Sequence, residues 1–248
     1  MPNPATKKKK QKIRTTEIKN RRKAINEEFT TFIIIADSPI YRMKSYGPVP
    51  LIEIKNKKLI DYQIEAITKT YKNYEIILCV GFESNKVTKY IKSKYSKHNI
   101  RIIENTNYQD TSSCESLRLS LNNTTNGKVF IIDGNLFFNY KILKLKNKED
   151  NIAYVTEGQS KDFDIGININ EHKCAEFFCF GAKHSWSEIS YLGDMQAVSS
   201  LNKILYNDTF KRKFIFEALN AIIGMNKIKF TVVNHSNEIW KINKPRGT

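Results

Sequence analysis

The residues best placed to do chemistry lie between Phe32 and Asn135. Phe32–Ala36 is a continuous apolar run closed by Asp37-Ser38-Pro39, the pattern of an inner strand of a parallel sheet. The loop that follows carries Ser38, Arg42 and the segment Pro48-Val49-Pro50-Leu51, and from Leu59 to Ile67 apolar residues recur at helical spacing. A strand feeding a loop and then a helix is where α/β proteins bind phosphate-bearing ligands, because free backbone N–H groups converge there. A second apolar run, Lys128–Asp133, ends directly in Gly134-Asn135 and sets an acid and an amide at another strand end. Alternation along a strand turns Asp133 away from its neighbour unless the strand end is bulged. His98, His172, His184 and His235 show neither metal-ligand spacing nor a Ser/His/acid order and read as isolated surface residues. Cys79, Cys114, Cys174 and Cys179 lack zinc-hairpin spacing and read as reduced structural thiols.

These positions need a scaffold, and the apolar pattern supplies one. Strands are expected at Phe32–Ala36, Glu75–Val80, Arg101–Ile103 and Lys128–Asp133, with helices from Leu59, over Ser84–Lys97 and after Ser113. This alternation with short links predicts an α/β fold, a mostly parallel sheet with helices on both faces. Beyond Asn151 the pattern changes to antiparallel strands at Ile152–Thr156, Asp162–Asn168 and Ala175–Ala182. Helices are expected near Leu192–Tyr206 and Phe210–Ile223, and closing strands at Ile228–Val233 and Ile239–Ile242. No linker-like stretch divides this region, so the expected organisation is a basic arm, residues 1–30, and one domain, residues 31–248.

In order along the chain, several short runs resemble the sugar-phosphate nucleotidyltransferases and the phosphocholine cytidylyltransferases. They are Arg42-Met43, Pro48–Ile54 (P-x-P-L-I-E-I), Leu59–Glu65, Val80–Phe82, Asn105–Tyr108 and Ser116-Leu117. Ile132–Phe138 and the closing Trp240–Pro245 (W-x-I-x-x-P) complete the series. The resemblance implies a three-layer Rossmann-like nucleotidyltransferase fold and magnesium-dependent transfer of a nucleotidyl group, with Ser38, Arg42, Gly81, Asn105 and Ser116 as nucleotide-site positions. It also implies what is replaced. The glycine-rich loop becomes Ser38-Pro39-Ile40, where proline offers no N–H and isoleucine is bulky, and Asp37 brings negative charge towards a polyphosphate. The lysine of the P-K-P-L segment becomes Val49, with Lys44 and Lys55 as its possible substitutes. The two magnesium-holding aspartates become Asn135 and Asn243, amides that can coordinate but bring no charge.

Charge supplies the remaining expectation. The chain carries a formal +16 over 248 residues, and residues 1–23 hold Lys7, Lys8, Lys9, Lys10, Lys12, Arg14, Lys19, Arg21, Arg22 and Lys23 against a single acid, Glu17. Such an arm is drawn to polyanions, nucleic acid above all. The basic helix over Ser84–Lys97 either extends that surface or is an ordinary solvated face. No apolar run approaches the roughly 20 residues of a membrane span, and no signal peptide is seen, so an intracellular protein without a membrane partner is expected. Two functions are then expected. The first is a catalytically degenerate nucleotidyltransferase fold, without cofactor, used as a binding module whose arm contacts nucleic acid or an acidic assembly such as a ribonucleoprotein or a virion. The second is an active magnesium-dependent sugar-phosphate or phosphocholine nucleotidyltransferase with a rearranged metal site.

Overall fold

The first strand, β1 (Thr30–Ala36), is buried at every position, and its alternation decides the layers. Ile33 and Ile35 face one core, Phe32, Ile34 and Ala36 the other. The computed structural model describes residues 29–124, 127–156 and 164–242. The basic run of residues 1–23 and Asn243 lie outside the described residues.

After β1 come a small hairpin, β2 (Glu53–Ile54) and β3 (Lys57–Lys58), and helix α1 (Leu59–Thr70). Then follow β4 (Tyr74–Val80), α2 (Ser84–Lys94), β5 (Ile100–Glu104), α3 (Ser113–Leu121), β6 (Val129–Asp133) and β7 (Leu136–Phe138). The second half holds β8 (Ile152–Thr156), β9 (Ile165–Ile169), β10 (Ala175–Phe180), β11 (His184–Leu192), α4 (Met195–Leu205), α5 (Ile215–Asn226), β12 (Thr231–Asn234) and β13 (Ile239–Lys241). Among the described residues, nine strands share one sheet in the order β10-β9-β11-β6-β1-β4-β5, with β8 on β11 and β12 on β8. The β6-β1-β4-β5 portion is parallel and β11 joins it antiparallel. Residues of α1 and α2 pack on one face and of α3, α4 and α5 on the other, which makes the three-layer Rossmann-like arrangement.

Two differences from the sequence reading matter. The expected helix over Leu192–Tyr206 starts only at Met195, capped by the Asp194 carboxylate, which accepts from the Ala197 N–H at 2.6 Å. In front of it runs β11, a nine-residue strand absent from the sequence expectation. Its apolar residues do not keep period two, because its pairing with β8 jumps from Trp186↔Val155 to Ser190↔Ala153. No helix among the described residues is long and apolar enough to cross a membrane.

One polar device ties α1 to α2. The Asp61 carboxylate, 1% exposed, accepts from Tyr90 (2.8 Å), Tyr95 (2.7 Å) and Lys94 (2.7 Å). Burial opposes its charge, but these three donors outweigh that and hold its pKa below the ordinary carboxylate range. Asp61→Ala is expected to cost about 2 kcal/mol in urea unfolding, since it leaves the buried Tyr95 hydroxyl without its acceptor while the half-exposed Lys94 rehydrates.

Candidate active site

A cleft of about 450 Å³ opens at the carboxyl ends of β1 and β6, where parallel sheets place their ligands. Its wall on one side is the loop after β1: Asp37, Ser38, Pro39, Ile40 and Tyr41, with Val49 buried beneath. On the other side stand Asp133, Asn135, Glu188 and Lys241, with Phe180 and Phe214 at the rim.

The turn between β6 and β7 is built to hold Asn135. Gly134 donates to the Ile35 carbonyl at 2.7 Å, and a Cβ at this position would lie 2.6 Å from both the Ala36 Cβ and the Ile35 oxygen. Only glycine fits so close to β1. Buried Gln63 on α1 donates to the carbonyls of Gly134 (3.1 Å) and Leu136 (2.8 Å), while Ile242 donates to the Asn135 carbonyl at 2.9 Å. The Asp133 carboxylate accepts from the Asn135 N–H at 3.0 Å. Asp133 and Asn135 both line the cleft, as period two places residues i and i+2 on one face, so the expectation that Asp133 points away is corrected.

Across from them lies Glu188. In the antiparallel pairing of β11 with β6, Ile189 stands opposite Ile132, so Glu188 falls opposite Asp133, one step beyond the last pair. Glu188 has φ +60°, at the irregularity of β11, a left-handed conformation that costs a non-glycine residue about 1 kcal/mol or more. One of its oxygens takes the Lys241 ammonium at 2.7 Å, and the other is buried without a partner. The Asn135 Oδ1 is likewise buried and unpartnered. Burial, then the neighbouring Glu188 charge, push the Asp133 pKa up to about 7. Burial pulls the Lys241 pKa down, but the charge and hydrogen bond of Glu188 prevail and raise it.

The folded protein therefore holds the Asp133 proton more tightly than the unfolded chain, whose ordinary value is 3.8. The stability tied to this group is complete below about pH 4 and is lost as pH rises through about 7. In chelator, the urea midpoint is expected to fall between pH 5 and pH 8, and Asp133→Asn to flatten that fall.

The other sequence-derived positions are placed as follows. Ser38 is exposed on the cleft wall. Arg42 is exposed, with φ +60° and its guanidinium 5.1 Å from the Tyr41 ring, and it does not line the cleft. Lys44 lies over Phe82, and Lys55 sits in the β2–β3 turn. Asn105 and Ser116 are buried and turned inward: both donate to the Asp37 carboxylate, at 3.2 and 2.5 Å. Asp37, 5% exposed, is thus held down by an amide and a hydroxyl and does not project towards a bound polyphosphate as expected. Gly81 packs under the same loop, where a Cβ would meet the Asp37 carbonyl at 2.6 Å. Sequence reasoning missed Glu188 and Lys241. The first sits where period-two patterning fails, and the second is adjacent to Ile242-Asn243 and was readable only by its neighbour.

The donor set suits a small divalent cation. Two facing carboxylates, an amide oxygen and a lysine leave the site net negative in a chain of +16, and magnesium asks for one or two carboxylates plus substrate phosphates and water. Among the described residues no group of three or more His, Cys, Asp and Glu gathers for a metal.

Comparison with known proteins agrees with the fold. No family model matches the chain. Over 97 residues it is 34% identical to the choline-phosphate cytidylyltransferase of Streptococcus pneumoniae (strain ATCC BAA-255 / R6), a match spanning 39% of this chain and 40% of that protein. The chain thus spans about two fifths of that relative's length. The solved structure of the CTP:phosphocholine cytidylyltransferase from Streptococcus pneumoniae superposes with TM-score 0.68 at 17% identity, covering 87% of this chain and 94% of the other. The inositol-1-phosphate CTP transferase from T. maritima gives 0.68 at 12%, covering 88% and 91%. The nucleoside-diphosphate-sugar pyrophosphorylase from Vibrio cholerae RC9 gives 0.71 at 11%, covering 87% and 96%. These neighbours are named for nucleotidyl transfer and lend nothing to the reading as a catalytically degenerate binding module. The chain is thus similar over part of its sequence to a choline-phosphate cytidylyltransferase, and it shares the fold of that enzyme and of sugar nucleotidyltransferases.

Proposed function

We propose that the chain is a magnesium-dependent nucleotidyltransferase acting on a small phosphorylated acceptor, a sugar phosphate or phosphocholine. In this reaction an acceptor phosphate oxygen attacks the α-phosphorus of a nucleoside triphosphate, the α–β bridge breaks, and pyrophosphate leaves with the electron pair. The observation that carries the reading is the pair of buried, unpartnered oxygens, Asn135 Oδ1 and Glu188 Oε2, on two residues that line the same cleft as Asp133. Buried polar atoms without partners are costly and call for a ligand. Asp133, Asn135 and Glu188 are the residues that would hold magnesium, whose role when bound is to neutralise phosphate charge. Lys241 offsets the second carboxylate. Its half-exposed ammonium is free to turn part of its hydrogen bonding to a phosphate oxygen. Ser38 and the backbone of the loop after β1 line the triphosphate side, and Val49 leaves that side without the usual lysine.

The experiment is release of pyrophosphate from each of the four ribonucleoside triphosphates, with magnesium and a panel of sugar phosphates and phosphocholine. Pyrophosphate is expected with one triphosphate and only in the presence of an acceptor. Absence of release across the panel, together with no rise in melting temperature with magnesium and triphosphate, returns the protein to a non-enzymatic binding role.

A further inference from the structure

The pole opposite the cleft has its own chemistry. β1 enters the sheet at Thr30, whose N–H donates to the Asn73 carbonyl, and its seven residues at about 3.3 Å each set that entry roughly 20 Å from Asp37. Helix α2 runs back against the strands and ends at the same pole, where Tyr74 and His98 share a hydrogen bond of 2.8 Å. Residues 84–97 include five lysines and no acid. Lys89, Lys92 and Lys97 are exposed and make no ion pair among the described residues. Beside them a groove of about 570 Å³ separates α2 from β5, the sheet's edge strand, and presents Lys92 and His98 with the hydroxyls of Thr88 and Ser96, while Arg101 at its edge is paired with Glu75 at 2.8 Å and donates to the Asn123 carbonyl at 2.6 Å. Its one acid, Glu104, is engaged by the Ser84 hydroxyl at 2.6 Å.

We infer that this groove and the outer face of α2 bind a nucleic-acid strand through its phosphates, and that the ten Lys and Arg of residues 1–23 add to the charge that attracts it. Cations on a rim with hydroxyl donors match phosphodiesters. A membrane surface matches less well, because residues 1–23 contain no aromatic residue with which to enter the interface. The site is separate from the cleft and does not depend on the proposed transferase activity.

The test is fluorescence anisotropy of a labelled 30-nucleotide RNA with the full chain between 50 and 300 mM KCl. Contact with about ten phosphates gives a slope of log K against log salt near −7. The joint substitution Lys89→Gln, Lys92→Gln and Lys97→Gln is expected to make that slope shallower by about 2, and Lys7→Gln through Lys10→Gln together by about 3. Each set should weaken binding at least tenfold at 100 mM KCl while leaving the urea midpoint unchanged. A wild-type slope shallower than about −1, wild-type binding by the α2 variant, or binding to phosphatidylserine vesicles but not to RNA would overturn the inference.

Discussion

Glu188→Gln is expected to reduce pyrophosphate release at least a hundredfold. Glu188 is the carboxylate that β11 sets opposite Asp133, and it is held there at φ +60° by an irregular strand. Glutamine keeps the shape and one acceptor oxygen but removes the charge. A bound metal contributes several kcal/mol to phosphoryl-type transition states, and each ~1.4 kcal/mol is tenfold in rate, so losing half of that support already reaches a hundredfold. The variant should also lose the rise in melting temperature that magnesium and triphosphate give the wild type. It should not unfold on its own, since removing one of two facing like charges relieves repulsion across the strands. Activity within threefold of wild type would show that the cation, if one is used, is held elsewhere.

Gly134→Ala is expected to destabilise the fold by about 3 kcal/mol, the upper range for overpacking, read as a lowered urea midpoint with unchanged slope. The added Cβ would lie 2.6 Å from the Ala36 Cβ and 2.6 Å from the Ile35 oxygen, both on a strand buried at every position. Neither is the free end of a flexible side chain, so the turn itself must move. Asn135 moves with it, and the protein should lose its response to magnesium even where it remains folded. Asn135→Ala, which leaves the turn backbone intact, is the control: it should keep the midpoint nearly unchanged while weakening the same response.

The parallel half of the sheet was legible because its strands are buried on both faces. Phe32–Ala36 and Glu75–Val80 are apolar without interruption, and helices α1 and α2 show their inner faces at helical spacing. Asn135 was legible as a strand-end residue because it follows such a strand directly. Asp37 was misjudged: sequence shows a charge at a loop mouth, whereas the donors that turn it inward, Asn105 and Ser116, come from 68 and 79 residues away. The function was misweighted for a related reason. Counting the replaced residues along the chain missed the carboxylates that folding supplies from elsewhere.

What the chain by itself determined is therefore the layered scaffold, the two strand ends that frame a cleft, and the concentration of positive charge in its first residues. These follow from apolar periodicity and composition, which are local. The tertiary structure alone decided that Asp133 turns into the cleft, that Glu188 meets it from β11 and that Lys241 closes the group. Those placements depend on a turn, an irregular strand and a pairing between segments about fifty residues apart, and no window of sequence holds all three.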